Sequence, residues 1–164
     1  MPAADIVIRA AEEADRAIFL ELYRHLKPDD PDAAPDVPQQ TFLDVIRHPG
    51  LTVLGGFDNG LLVATATLIV VPNLTRAGMP YALVENVVTH SDHRQKGFGQ
   101  AVVRKAIDMA FEQGCYKVML LTGRTDAGIM KFYTSCGFAQ TKTGFQVRAA
   151  PAELRQNPIV GHHT

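Results

Sequence analysis

The chain has 164 residues, of which 46% are hydrophobic and 20% charged, and its formal net charge at pH 7 is −1. This length favours one domain whose core is large enough to fold without disulfides or bound metal. The small net charge provides no basic field to attract nucleic acid, and no apolar run approaches the ~20 residues that span a bilayer. We therefore expect neither nucleic acid nor a membrane as a partner.

Residues 1–5 lack the basic and apolar regions of a signal peptide. The two cysteines, Cys115 and Cys136, do not have Cys-x-x-Cys spacing. Two such cysteines are typical of reduced thiols rather than of a disulfide framework. We therefore predict a cytoplasmic protein.

The first half of the chain predicts two helices between strands. A β-branched run at 5–9 predicts a strand, and apolar residues four apart predict a helix over 12–26. Residues 27–36, with three prolines and four aspartates, predict an exposed loop, which we interpret as either a lid or a plain connector. Pro38 suits the first turn of a second helix, with Asp36 as its candidate cap.

Strands are predicted next, over 51–57 and 61–71. Asn59 and Gly60 tolerate positive φ and predict the tight turn that joins them. A second loop, 72–80, is rich in turn residues and leads into an apolar strand that ends near Thr89.

The second half predicts a strand–helix–strand crossover followed by a helix and a last strand. A helix opens at Gly97-Phe98-Gly99 and ends near Gly114, a candidate C-cap. The later elements are a strand at 116–122, a helix at 126–135 and a strand at 143–148. The order βααβββαβαβ predicts an α/β fold with a mixed sheet of about six to seven strands flanked by helices. The domain covers residues 1–150, and residues 151–164 form a polar C-terminal tail.

The turn before the third helix predicts an anion site. Gly-x-Gly at a helix N-terminus leaves backbone N–H groups unpaired, and Arg94 and Lys96 add positive charge. A phosphate-bearing ligand is therefore expected. A dinucleotide site would need a third glycine, where this chain has Val102, and a P-loop would need Gly-Lys-Ser/Thr, which is absent.

Two segments carry a family resemblance. Glu85-Asn86-Val87-Val88-Thr89, followed by the segment from His93 to Gln100, resembles the acetyl-CoA motif of the GNAT superfamily of N-acetyltransferases. The segment from Lys131 to Phe138 resembles the second signature of that superfamily, Phe-Tyr-x-x-x-Gly-Phe. Residues 114–118 also resemble the glucosamine-6-phosphate N-acetyltransferase branch, which has Asp-Cys where this chain has Leu121-Thr122.

The resemblance implies acetyl-CoA as cosubstrate, with no metal. It places the pyrophosphate on the backbone of residues 95–100 and the pantetheine along the strand that ends at Thr89. The implied cofactor-binding residues are Val87, Val88, Thr89, Arg94, Gln95, Lys96, Gly97, Phe98, Gly99, Gln100, Asp126, Phe132 and Tyr133. On this interpretation Gly99→Glu is expected to abolish CoA binding and leave the fold intact.

The catalytic candidates are Glu85 and Tyr133. An alkylammonium must lose a proton before it attacks a thioester, and Glu85 is the candidate base. The resemblance makes the Val88 N–H the candidate oxyanion donor, and Tyr133 can donate a hydrogen bond or a proton to the leaving thiolate. The alternatives are a structural or amine-anchoring role for Glu85 and a packing role for Tyr133.

Other nucleophiles and bases are assigned structural roles. Cys136 could accept an acyl group, but a small buried thiol is favoured. The histidines at 90 and 93 are interpreted as surface turn residues because neither has a partner at metal-ligand spacing. The segment 146–148 is either a wall of the acceptor pocket or an ordinary strand face.

The sequence thus predicts an N-acetyltransferase that moves acetyl from acetyl-CoA directly to a primary amine of a small molecule or peptide. The alternative is a non-catalytic acyl-CoA-binding sensor. The loops 27–36 and 72–80 are expected to build the acceptor pocket. A homodimer is also expected, because apolar strands near the C-terminus permit pairing.

Overall fold

A computed structural model describes residues 6–29 and 36–149. Within them the elements are β1 (Val7–Ala10), α1 (Arg16–Tyr23), α2 (Gln39–Arg47), β2 (Leu51–Asp58), β3 (Leu61–Val71), β4 (Tyr81–Thr89), α3 (Phe98–Glu112), β5 (Val118–Met119) and α4 (Ala127–Ser135). Short 3-10 turns lie at Glu13–Asp15, Arg76–Gly78 and Ser91–His93. The predicted α/β order is confirmed up to α4.

The five strands form one sheet in the order β1-β2-β3-β4-β5. The first four run antiparallel to their neighbours, and β5 runs parallel to β4. The predicted turn between β2 and β3 is confirmed, because Asn59 and Gly60 have φ values of 49° and 83°. The sheet is therefore mixed, with the crossover helix α3 between its two parallel strands.

Helices cover both faces of the sheet. On one face, α3 buries Val102, Val103 and Ala106 completely against β3 and β4. On the other, Phe19 and Leu22 of α1 pack with Phe42 of α2. Burial of each large apolar side chain stabilises the fold by about 1.5–3 kcal/mol. This burial holds α3 and α1 against opposite faces of the same pair of strands.

The start of α1 differs from the prediction. The predicted start is a single 3-10 turn at Glu13–Asp15 that leads into α1 at Arg16, and the Asp15 carboxylate accepts a hydrogen bond from the Glu12 N–H at 2.8 Å. The same carboxylate pairs with Arg9 at 2.6 Å, and the hydrogen bond from Arg9 is the main cause that lowers the pKa of Asp15. Asp36 does not cap α2, whose N-cap is Pro38; it pairs with Arg16 at 2.7 Å.

The prediction of six to seven strands is corrected to five for the part of the chain that is described. The strand predicted at 116–122 is only two residues long, and 143–148 forms no strand. A strand needs a partner edge, and 143–148 pairs with none of the described residues. Its Phe145 and Val147 are 92% and 96% exposed. The predicted tail 151–164 and residues 30–35 of the first loop lie outside the described ranges.

Candidate active site

The cleft opens where β4 and β5 separate. They are paired only at Ala82↔Val118 and Leu83↔Met119. From Val84 to Thr89 the edge of β4 that faces β5 has no strand partner among residues 6–29 and 36–149. The result is a cleft of about 1030 Å³ between β4, α3 and α4.

A bulge in β4 sits at the point of separation. Glu85 is opposite Thr67 and Val88 is opposite Thr65, so Asn86 and Val87 together face a single residue of β3. Asn86 has a φ of 51°, which asparagine tolerates better than most residues. A bulge bends its strand and increases the local twist, which moves β4 away from β5. Sequence reasoning missed this bulge, although an asparagine within a strand is a signal for it.

One end of the cleft is formed by residues 94–100, the segment predicted to bind the cofactor, which we call the cofactor loop. Gln95 and Gly97 have positive φ, at 62° and 84°, on either side of Lys96. Such alternation turns successive N–H groups to one side and makes a concave anion site. Gly97 is the N-cap of α3 and supplies no side-chain cap, so the first N–H groups of this 15-residue helix remain open.

At Gly99, the start of α3 lies directly against the end of β4. A Cβ atom at this position would lie 2.5 Å from Oγ1 of Thr89 and 3.5 Å from the Phe132 ring. Any side chain would therefore force the Thr89 side chain, the helix or the strand to shift. The expectation that Gly99→Glu leaves the fold intact is revised accordingly.

Three of the predicted cofactor ligands use their side chains to hold the protein itself. The Arg94 guanidinium donates to the carbonyls of His25 and Thr89, each at 3.3 Å. The Gln100 amide donates to the Ser135 hydroxyl of α4 at 2.8 Å. Asp126 caps α4 by accepting from the Ile129 N–H at 3.1 Å, and this hydrogen bond is the main cause that lowers its pKa.

The predicted site residues converge on the cleft with one exception. Lys96 is exposed and does not line it. Those that do are Glu85, Val87, Val88, Thr89, Arg94, Gln95, Gly97, Phe98, Gly99, Gln100, Asp126, Phe132 and Tyr133. Because the side chains of Arg94, Gln100 and Asp126 are engaged elsewhere, the backbone of the cofactor loop is the main free donor set.

The two predicted catalytic residues, Glu85 and Tyr133, line the same cleft. Burial is the main cause that raises the pKa of Tyr133; the neighbouring Cys136 and Glu85 raise it further, and Arg124 opposes them. The ring packs edge-on against Phe132, with centroids 5.0 Å apart. The phenol therefore stays protonated at neutral pH and can donate a hydrogen bond into the cleft.

Cys136 is 7% exposed, and burial raises the pKa of its thiol. A buried protonated thiol is a poor nucleophile. This environment favours the structural interpretation of Cys136 over a role as acyl acceptor.

The acceptor side of the cleft differs partly from the prediction. The loop 72–80 contributes nothing to the lining, because it joins β3 to the start of β4, whereas the cleft begins at Val84. The end of α1 lines the cleft instead, through His25, Leu26 and Lys27, together with Arg124. Gln146 and Arg148 reach the cleft, as one of the two interpretations proposed. No periodicity in the sequence marks His25 as a site residue.

His90 and His93 are not simple surface residues. Both are partly buried, and His90 packs between His25 and His93 with ring centroids at 4.2 and 5.4 Å. Across residues 6–29 and 36–149, no three or more His, Cys, Asp or Glu side chains are grouped to hold a metal ion. In the same ranges no helix is long and apolar enough to cross a membrane.

Comparisons with known proteins agree with this geometry. Residues 19–138 match the model of the acetyltransferase (GNAT) family. A putative acetyltransferase from Agrobacterium tumefaciens str. C58 is 52% identical, with a TM-score of 0.82 over 87% of this chain and 99% of that structure.

Two relatives are named for one substrate. The glucosamine 6-phosphate N-acetyltransferase of Trypanosoma brucei brucei is 30% identical over 136 residues, which are 82% of this chain and 89% of the relative. Glucosamine 6-phosphate N-acetyltransferase 1 of Oryza sativa subsp. japonica is 34% identical over 148 residues and 81% of each chain. The chain therefore belongs to the acetyltransferase (GNAT) family and is an acetyl-CoA-dependent N-acetyltransferase.

Proposed function

We propose that this cleft transfers the acetyl group of acetyl-CoA directly to a primary amine of a small anionic molecule, with amino-sugar phosphates as the first class to test. One observation carries the proposal: Glu85 and Tyr133 line the same cleft, beside the unpaired edge of β4. A carboxylate and a protonated phenol are the two groups that amine attack and thiolate departure require.

The two ends of the cleft suit coenzyme A. The open N–H groups of the cofactor loop fit a pyrophosphate, because helix N-termini stabilise anions by about 0.3–1 kcal/mol per interaction. The free edge of β4 from Val87 to Thr89 offers backbone groups along which pantetheine can pair like an added strand. Both interactions with coenzyme A would use the protein backbone. The side chains of Arg94 and Gln100 are therefore free to bond to other parts of the protein.

The proposed reaction needs no covalent enzyme intermediate. The amine gives a proton to Glu85 and attacks the thioester carbonyl, so that a C–N bond forms as the C–S bond breaks. Tyr133 hydrogen-bonds the departing sulfur, and an N–H on the free edge of β4 stabilises the oxyanion. The expected donor, Val88, is paired with Thr65 two residues before the bond from His90 N–H to the Val63 carbonyl, so its N–H points toward β3 instead. The raised pKa of Tyr133 makes complete proton transfer to the thiolate uphill, so we assign this residue to hydrogen bonding first.

The charges around the cleft support an acceptor with an amine and an anionic group. Glu85 can orient the amine, whereas Lys27 and Arg148 line the same cleft and are positive. Arg124 also lines it and is held by Asp126 at 2.9 Å. The two relatives named for glucosamine 6-phosphate support this class.

A thiol-release assay tests the proposal. We expect kcat/KM for glucosamine 6-phosphate to exceed that for glucosamine by at least about tenfold, because charge-assisted hydrogen bonds are worth about 1.5–3 kcal/mol. Arg148→Gln should remove most of this preference and leave glucosamine turnover unchanged. Glu85→Gln should lower kcat for both sugars.

Other results of turnover and CoA-binding measurements would support a different acceptor or a different function. Faster turnover of a peptide amine than of any amino sugar would overturn the acceptor class. CoA binding without turnover on any amine would favour a sensor, and failure to bind CoA would exclude both.

We also propose that two copies of the chain pair through residues 143–148. Phe145 and Val147 are almost fully exposed and alternate with Gln146 and Arg148, which line the cleft. The same chain carries an edge strand, β5, that lacks an outer partner among the described residues. An unpaired strand-like segment and a free edge on one chain allow two copies to satisfy each other around a two-fold axis.

Light scattering tests the pairing. We expect a dimer for the wild type and a monomer for Phe145→Ser/Val147→Ser, whereas Leu74→Ser, at a fully exposed leucine elsewhere on the surface, should stay dimeric. A monomeric wild type would overturn the pairing but not the activity.

The two free buried thiols, Cys115 and Cys136, support the proposed cytoplasmic location.

A further inference from the structure

Three histidines from separate parts of the chain meet beside the cleft. His25 follows α1, and His90 and His93 flank the turn between β4 and the cofactor loop. The His25 and His90 rings are 4.2 Å apart, and the His90 and His93 rings are 5.4 Å apart at 88°. The proposed reaction uses none of the three.

The hydrogen bonds assign a protonation state to two of these rings. The Ser91 N–H donates to Nδ1 of His25 at 3.4 Å, and the Asp92 N–H donates to Nδ1 of His90 at 3.2 Å. A ring nitrogen can accept only while it carries a lone pair. Protonation of either ring would therefore turn an acceptor into a donor that faces another donor.

His25 is attached to the cofactor side of the cleft twice. Its ring accepts from Ser91, and its carbonyl accepts from Arg94, which also donates to the carbonyl of Thr89. His25, Leu26 and Lys27 line the cleft, and the proposed function makes them its acceptor wall. These bonds therefore hold the acceptor wall against the residues that begin the cofactor loop.

We propose that neutral His25 and His90 form a positioning joint, the histidine joint, which fixes the distance between the acceptor wall and the cofactor loop and is released by acid. The inference rests on the proposed function in that it concerns the same cleft. Neither histidine touches the reacting atoms. Each acts through the backbone that it orders.

The charged groups around the joint set the direction of its pH dependence. Burial is the main cause that lowers the pKa of His25, and the nearby His90 and Arg94 lower it further, whereas Asp92 and Glu21 oppose them. Asp58 faces the third ring, with Oδ2 at 4.0 Å from Nδ1 of His93.

The folded chain thus favours the neutral His25 ring. The contribution of the joint is complete above the unfolded-state pKa of about 6.5 and is lost as the pH falls below that value.

Hydrogen exchange of the free protein tests the joint, with protection factors compared at pH 7.5 and pH 5.5. In the wild type, protection of residues 89–94 should fall about fivefold on acidification, which corresponds to loss of one hydrogen bond. In His25→Asn/His90→Asn it should stay constant, because the asparagine Oδ1 takes the place of Nδ1 and does not titrate. His25→Ala should lack the protection at both pH values.

His48→Asn is the matched control. His48 also accepts a backbone N–H, that of Gly50 at 3.1 Å, but it lies at the end of α2, outside the joint. This variant should keep the wild-type response to acid. Thermal melts establish that all the variants are folded.

Kinetics then separate positioning from simple stability. At pH 7.5, His25→Ala should raise KM for the acceptor about fivefold with a smaller change in kcat. The joint is overturned if the double asparagine variant loses protection on acidification as the wild type does, or if His25→Ala keeps the wild-type KM. Because the exchange experiment needs no ligand, failure of acetyl transfer would overturn the proposed function and leave the joint to be judged by exchange alone.

Discussion

The two edges of β4 differ in the extent of their strand pairing. Toward β3 the strand is paired from Tyr81 to Thr89, with one bulge, whereas toward β5 it is paired at two residues only. The closed edge belongs to a core of fully buried side chains that includes Leu68 and Ala82. The open edge faces the cleft and leaves backbone groups free for a ligand. One strand thus separates the part of the enzyme that supplies stability from the part that binds.

The comparison predicts that damage on the closed side costs stability. Leu68 pairs with Val84 and is fully buried, so Leu68→Ala should lower the free energy of unfolding by about 2–5 kcal/mol. Leu61→Ala, at the 53% exposed start of the same strand, should change it far less. Urea denaturation measures both, and similar losses would mean that the core is not concentrated between β3 and β4.

A substitution in the cleft, on the open side of β4, should lower the rate of the reaction instead of the stability. Tyr133→Phe should lower kcat by about tenfold to a hundredfold and leave the Kd of CoA and the stability nearly unchanged. Since burial raises the pKa of Tyr133, this phenol should cause no loss of wild-type activity between about pH 7 and 9. Tyr81→Phe, at the closed end of β4, is the control for steady-state kinetics, and an unaltered kcat in Tyr133→Phe would reduce Tyr133 to packing.

The contact between α3 and β4 joins the two sides, so a change there should affect both. Gly99→Ala places a methyl group against Oγ1 of Thr89 and should cost about 1–3 kcal/mol in stability and weaken CoA binding. Thr89→Ala removes that oxygen, and the double variant should recover most of the loss. Calorimetry and melting curves measure the coupling, and additive effects would contradict the contact.

The bulge should show the smallest effect. Asn86 is exposed, so its replacement tests the backbone rather than packing. Asn86→Val should cost about 1–2 kcal/mol, because a β-branched residue resists positive φ, whereas Asn86→Gly should be tolerated. A lower kcat in Asn86→Val than in Asn86→Gly would tie the bulge to the alignment of Glu85; equal kcat values would make it a structural feature only.

The sequence was most informative where structure is local. The Asn59-Gly60 turn and the Gly114 position after α3 both follow from residue chemistry within one turn. The Gly-x-Gly motif likewise predicted the uncapped start of α3, because helix N-termini need no distant partner to expose their N–H groups.

Long-range placement was harder. The alternation in 143–148 was interpreted as a strand, yet a strand exists only where a neighbouring edge accepts it, and none of the described residues provides one. Asp36 was expected to cap α2, but Arg16 lies closer to it in space. The loop 72–80 was assigned to the acceptor pocket because its position along the chain does not reveal which end of the sheet it occupies.

The sequence by itself determined the family and the order of the elements up to α4, because each depends on short segments. Only the tertiary structure decided that β4 opens at a bulge, that Lys96 stays outside the cleft and that His25 meets His90. Those features depend on contacts between segments far apart in the chain, and local residue patterns carry no information about such distances.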